Sequence, residues 1–254
     1  MMKLICASNE REAGKRAAEI ISDVIYRRPN ALLGFATGST PIGMYKELIR
    51  MYQSGELSFF RVKTVNLDEY VGLSHDHEQS YAYFMRKNLF DHIDIQKRNT
   101  HIPNGEADPN MECEEYNHLL DRLGRVDIQL LGLGHNGHIA FNEPSSHFTK
   151  DTTIVRLTDS TISANSRFFS SKSDVPTHAI SMGIGRILRS KKILLLVLGR
   201  AKAEILERAL FGEVTPDVPA SILQFYQGDL NVVGDKEAFS VITKMHADAE
   251  ISEA

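Results

Sequence analysis

Cysteine is scarce. Cys6 and Cys113 are the only two in 254 residues, far apart and without a shared spacing motif, so they offer no disulfide framework and read as free thiols in a reducing compartment. Charge of one sign is missing as well: 29 Lys and Arg against 33 Asp and Glu give a formal charge of -4, with the basic residues scattered. That pattern carries no electrostatic footprint for nucleic acid, and any anionic ligand has to be held locally. Long apolar runs are absent. The run 193–198 is far too short to span a bilayer, and the opening MMKLICASNE has too few apolar residues for a signal peptide. A cytoplasmic protein without a membrane partner is expected. No Pro/Gly/Ser-rich linker, charge block, repeat or low-complexity tract divides the chain, so one domain over 1–254 is expected. Oligomeric state has no signal in the sequence.

What is present is an ordinary globular composition, 42% hydrophobic and 24% charged, enough for a sizeable core. Short β-rich runs at 31–36, 62–67, 126–131 and 192–198 alternate with helical patterns at 10–26, 41–53, 81–90, 109–123 and 202–211. The alternation predicts a parallel sheet with helices on both faces. Thr40 before Pro41 and Asp108 before Pro109 read as N-cap then N1.

Each of the four strong strands is followed by polar residues. The first leads into Thr37-Gly38-Ser39-Thr40, the second into Asp68-Glu69, the third into the end of LLGLGHNGHIAFNEP, and the fourth into Gly199-Arg200-Ala201-Lys202. In open α/β sheets ligands bind outside the carboxyl ends of the strands, so the four clusters converge on one small-molecule crevice.

The glycines 132, 134 and 137 match G-x-G-x-x-G, but Asn142, Pro144, Ser145 and Ser146 interrupt the helix that a dinucleotide site requires. His135, His138 and Glu143, and likewise His75 and His77, have no helical His-Glu-x-x-His or zinc-finger spacing. Neither a nicotinamide cofactor nor a metal is expected. A strand, a small-residue turn and a Pro-started helix around Gly38, Ser39 and Thr40 suit a phosphate, and the Walker lysine is absent. Lys202 and Arg167 are the candidate cations beside it, with a solvated surface role as the alternative for each. At the end of the second strand successive side chains point to opposite faces, so at most one of Asp68 and Glu69 faces the crevice. Two carboxylates and an imidazole around a phosphate site, without a cysteine nucleophile, suit proton transfer on a sugar phosphate.

GHNGHIAFNEP, together with TVNLDEYVGL at 64–73, ATGSTP at 36–41 and ANSRFF at 164–169, resembles the glucosamine-6-phosphate deaminase family of amino-sugar phosphate isomerases over essentially the whole chain. The resemblance implies a Rossmann-like three-layer α/β/α sandwich with a mostly parallel central sheet. The activity it implies is conversion of D-glucosamine 6-phosphate and water to D-fructose 6-phosphate and ammonium, with no cofactor. It makes Asp68 the base that moves a proton between C2 and C1, and His138, held by Glu143, the ring-opening group. Gly38, Ser39, Thr40, Arg167 and Lys202 then hold the phosphate. Many members carry Asp where this chain has Asn136; Asn still orients the imidazole but lends it no charge. Longer members sense N-acetylglucosamine 6-phosphate through an Arg and a Lys where Thr153 and Val155 stand here, which implies a short, non-allosteric type. Two rivals are a 6-phosphogluconolactonase-like hydrolase and a non-catalytic sugar-phosphate sensor. The hydrolase lacks support from the long NEP motif, and the sensor normally carries a DNA-binding helix-turn-helix, for which a first strand beginning at Lys3 leaves no room.

Overall fold

Mainly apolar, largely buried runs form the middle of the main sheet, as expected of parallel strands covered on both faces. The computed structural model of the chain describes residues 2–166, 169, 171 and 174–254. In chain order the strands are β1 (Met2–Ala7), β2 (Leu32–Phe35), β3 (Lys63–Asn66), β4 (Asp68–Tyr70), β5 (Thr100–His101), β6 (Ile128–Leu131), β7 (Thr153–Arg156), β8 (His178–Ser181), β9 (Lys192–Val197), β10 (Asp229–Asp235) and β11 (Ile251–Glu253). The helices are α1 (Glu10–Arg27), α2 (Ile42–Gln53), α3 (Tyr81–Asn88), α4 (Pro109–Leu123), α5 (Asp159–Asn165), α6 (Ile184–Leu188), α7 (Ala203–Phe211) and α8 (Lys236–Met245). They flank the sheet and supply the crossovers that parallel strands need.

Among the described residues the main sheet runs β11-β1-β10-β9-β6-β2-β3-β5, and all its pairings are parallel. This is the expected Rossmann-like α/β architecture. The chain moves outward from β2 through β3 to β5, then returns to the other side of β2 with β6 and continues away through β9. The strand order therefore reverses between β2 and β6, and crevices open at such reversals.

Two local expectations need correction. Asp68 and Glu69 do not end β3. Asn66 does, and Asp68–Tyr70 starts a second, antiparallel sheet, β4-β8-β7, in which Asp68 pairs with Ser181 and Glu69 with Ile180. Thr40 is not a helix cap either: α2 begins at Ile42 with Pro41 at the N-cap and no capping side chain. Asp108 does cap, accepting from the N–H groups of Asn110 and Met111 with Pro109 in the first turn. No helix among the described residues is long and apolar enough to cross a membrane.

At the amino-terminal edge of the sheet, one buried carboxylate is fully paired. Asp127, buried just before β6, accepts from the Leu32 N–H at 2.8 Å, from Arg28 Nη1 at 2.8 Å and from Lys191 Nζ at 2.7 Å. It ties together the starts of β2, β6 and β9.

Candidate active site

The carboxyl ends of β3, β2, β6 and β9 are neighbours on one edge of the sheet, so the four polar segments that follow them share that edge. After β2, Gly38 takes φ 95°, a left-handed conformation that a side chain rarely adopts. The backbone N–H groups of residues 38–40 and the hydroxyls of Ser39 and Thr40 have no hydrogen-bond acceptor among the described residues. A loop of free donors ahead of the twelve-residue α2 suits an anion.

After β6 the chain folds into a tight hairpin. Gly134 N–H donates to the His138 carbonyl at 2.9 Å, and the His138 ring lies so close over Gly134 that a Cβ there would sit 2.3 Å from Nε2. Gly134 is thus the seat of the imidazole, which is the physical use of the glycines that mimic a dinucleotide motif. A second turn follows. Ala140 is held at φ 53°, the only non-glycine with positive φ among the described residues, and Asn142 N–H closes the turn on the Ile139 carbonyl at 3.1 Å. That reversal brings Glu143 back to His138: Nδ1 of the ring lies 3.4 Å from Oε2. At that distance the buried Nδ1 has no hydrogen-bonded partner among the described residues, and the contact is an ion pair only when the imidazole is protonated.

Asn142 and Asn136 have different tasks. Asn142 serves the backbone, donating to the carbonyls of Ile139 and Met182 at 3.0 and 2.9 Å and accepting from the Thr149 hydroxyl. Asn136 does not address the imidazole. Its Nδ2 donates to Glu143 Oε2 at 2.6 Å and its Oδ1 accepts from the His138 backbone N–H at 3.2 Å. The amide suits this place because it offers a donor to one side and an acceptor to the other. A residue that sequence reasoning missed completes the set: Thr161, in α5, donates its hydroxyl to Glu143 Oε1. Burial alone would raise the Glu143 carboxyl, but His138, Thr161 and Asn136 together hold it down at about 2.

Asp68 and Glu69 are both buried, and their surroundings separate them. Glu69 accepts the backbone N–H groups of Tyr70, Tyr81 and Ala82, each at 2.9 Å, and so anchors the N-terminus of α3. Burial nevertheless pushes it up to about 7. Asp68 accepts no hydrogen bond among the described residues, and burial with Glu69 alongside pushes it up to about 8. A carboxylate left without partners is available to a substrate proton; one already holding three donors is not.

After β9, Gly199 (φ 85°) turns the chain and donates to Asp235, which leads into Lys202 ahead of α7. Lys202 is half-buried without a carboxylate partner among the described residues, and burial lowers its pKa to about 8. The other expected cation, Arg167, lies outside the described residues. Among the described residues no three His, Cys, Asp or Glu side chains come together as a metal would need. A cavity of about 330 Å³ lies between α3, α4 and β5, and its lining includes neither Asp68 nor His138. Convergence of strand ends and unpaired charge, rather than volume, locates the site.

The model of the family described as glucosamine-6-phosphate isomerases/6-phosphogluconolactonase matches residues 7–232. A glucosamine-6-phosphate deaminase of Lachnoclostridium phytofermentans is 54% identical over 233 residues, 91% of this chain and 98% of its own. One from Clostridium botulinum is 50% identical over 240 residues, 94% of this chain and 98% of its own. Among solved structures, a monomeric glucosamine-6-phosphate deaminase superimposes with a TM-score of 0.92 at 47% identity, covering 94% of this chain and all of that one. The 6-phosphogluconolactonase of Trypanosoma cruzi, with a TM-score of 0.77 at 18% identity over 96% of this chain and 97% of its own, shares the fold.

Proposed function

Because the chain belongs to the glucosamine-6-phosphate isomerase/6-phosphogluconolactonase family, we propose that it converts D-glucosamine 6-phosphate and water to D-fructose 6-phosphate and ammonium. The phosphate is held by the N–H groups and hydroxyls of Gly38, Ser39 and Thr40, with Lys202 and Arg167 as its cations. His138, backed by the ionised Glu143, moves the proton at the ring oxygen that opens the pyranose. Asp68 then takes the proton from C2 of the open sugar and delivers a proton to C1, while a proton of the C2 ammonium group passes to O1. This leaves a carbon–nitrogen double bond at C2, which water hydrolyses to the ketone as ammonia departs and is protonated.

The observation that carries the reading is the contrast between the two adjacent carboxylates. The buried Asp68, unpartnered among the described residues, has a pKa close to the working range of a proton shuttle, while Glu69 is committed to the backbone of α3. A lactonase would need an activated water in place of that base, and the lactonase neighbours share the fold alone.

The test is a coupled assay. Purified protein should release ammonium and fructose 6-phosphate in equal amounts from glucosamine 6-phosphate, and unphosphorylated glucosamine should be turned over far less efficiently. Equal kcat/KM with and without the phosphate would remove the phosphate loop from the scheme.

A further inference from the structure

The Glu143 carboxylate is 8% exposed and its two oxygens are used differently. Oε2 takes the Asn136 amide and faces His138, both on the hairpin after β6. Among the described residues Oε1 takes only the hydroxyl of Thr161, which comes from a separate element eighteen positions away in sequence. The Thr161 hydroxyl is itself oriented, because it accepts from Thr158 Oγ1 at 3.1 Å. Thr158 also caps α5 by accepting the Thr161 N–H at 3.3 Å, so the first turn of the helix fixes both ends of the relay. Thr161 is 7% exposed, which leaves little room for water to replace its hydroxyl.

From this geometry we infer that Thr161 is a positioning residue for ring opening: its hydroxyl fixes the rotation of the Glu143 carboxylate and thereby the aim of the His138 imidazole. The inference rests on the reaction proposed above. A carboxylate fastened at one oxygen can still swing about its last bond, whereas one fastened at both keeps the oxygen that faces Nδ1 in place. Among the described residues His138, Asn136 and Thr161 are the groups acting on Glu143, and only His138 among them can carry charge. Loss of the Thr161 donor leaves a buried oxygen unsatisfied and raises the carboxyl from about 2. The hydroxyl, not the methyl, does this, so Ser serves at position 161 and Val, which has the same shape, does not.

The experiment compares wild type, Thr161→Val and Thr161→Ser. It uses steady-state kinetics on glucosamine 6-phosphate and the carbon-13 titration of the Glu143 carboxyl, with folding checked by circular dichroism. Thr161→Val should lower kcat about tenfold with KM within about twofold, since aim rather than phosphate contact is lost. Its Glu143 titration should move up by about one unit or more, and Thr161→Ser should restore both readouts. Wild-type kcat in Thr161→Val overturns the inference. So does a lowered kcat with an unmoved Glu143 titration, which would mean that Thr161 acts by packing, and so does a folded Thr161→Ser as impaired as Thr161→Val. If wild type releases no ammonium, the proposed reaction falls, while the titration still decides whether Thr161 governs Glu143.

Discussion

Two single residues with opposite requirements titrate close together in the crevice. Asp68, raised to about 8 by burial and by Glu69, acts as a base only after losing its proton. Lys202, lowered to about 8 by burial, holds a phosphate only while it keeps its own. Activity therefore rises with pH as Asp68 ionises and falls as Lys202 neutralises. The profile of kcat/KM should be a narrow bell with its maximum close to pH 8. Lys202→Arg should leave the acidic limb in place and carry the alkaline limb upward, because a guanidinium stays charged. A flat plateau across neutral and mildly alkaline pH would show that these two groups do not control binding and chemistry. Glu143 sits far below this window, at about 2, so it stays ionised throughout and sets neither limb.

At the scale of elements, much of the chain is readable because local chemistry and tertiary structure agree. Asp108 and Pro109 mark the start of α4 and deliver the cap they promise, so that helix has the expected bounds 109–123. Thr40 and Pro41 look alike on paper and do not cap, because the left-handed Gly38 bends the loop and α2 starts one residue later than its pattern suggests. The sequence runs from β3 into Asp68 and Glu69 without a break. The backbone bends at Leu67 and the partners change there, from β2 and β5 to β8, and periodicity carries no information about partners. The candidate site was legible as four strand ends, but its second layer was not. Asn142 reads only as a residue that interrupts a helix, and the turn it pins beside Ala140 shows only in the fold. Thr161 reaches Glu143 only through tertiary folding, and Arg167 lies outside the described residues.

Across the whole molecule, charge divides the two edges of the main sheet. At the amino-terminal edge Asp127 is saturated by Arg28, Lys191 and the Leu32 N–H; at the carboxyl edge Asp68 and Lys202 have no ion pair among the described residues. Paired charges maintain the fold and unpaired ones are left for a ligand, so damage at one edge should spare the other. Asp127→Ala should cost about 2–3 kcal/mol of stability, most of it from the buried N–H left unsatisfied, since Arg28 and Lys191 are half-exposed and their attraction is screened by solvent. Denaturant unfolding would measure that loss, and kcat/KM of the folded fraction should remain that of wild type. The central claim is that Asp68, and not its neighbour Glu69, carries the proton between C2 and C1. The direct measurement is turnover of glucosamine 6-phosphate in deuterium oxide by wild type, Asp68→Asn and Glu69→Gln, followed by NMR. Deuterium should enter C1 of the fructose 6-phosphate made by wild type and by folded Glu69→Gln. Asp68→Asn should bind substrate normally while its turnover and labelling fall by about 10²–10⁴-fold. Full turnover and C1 labelling in Asp68→Asn, with both lost in a folded Glu69→Gln, would contradict the account.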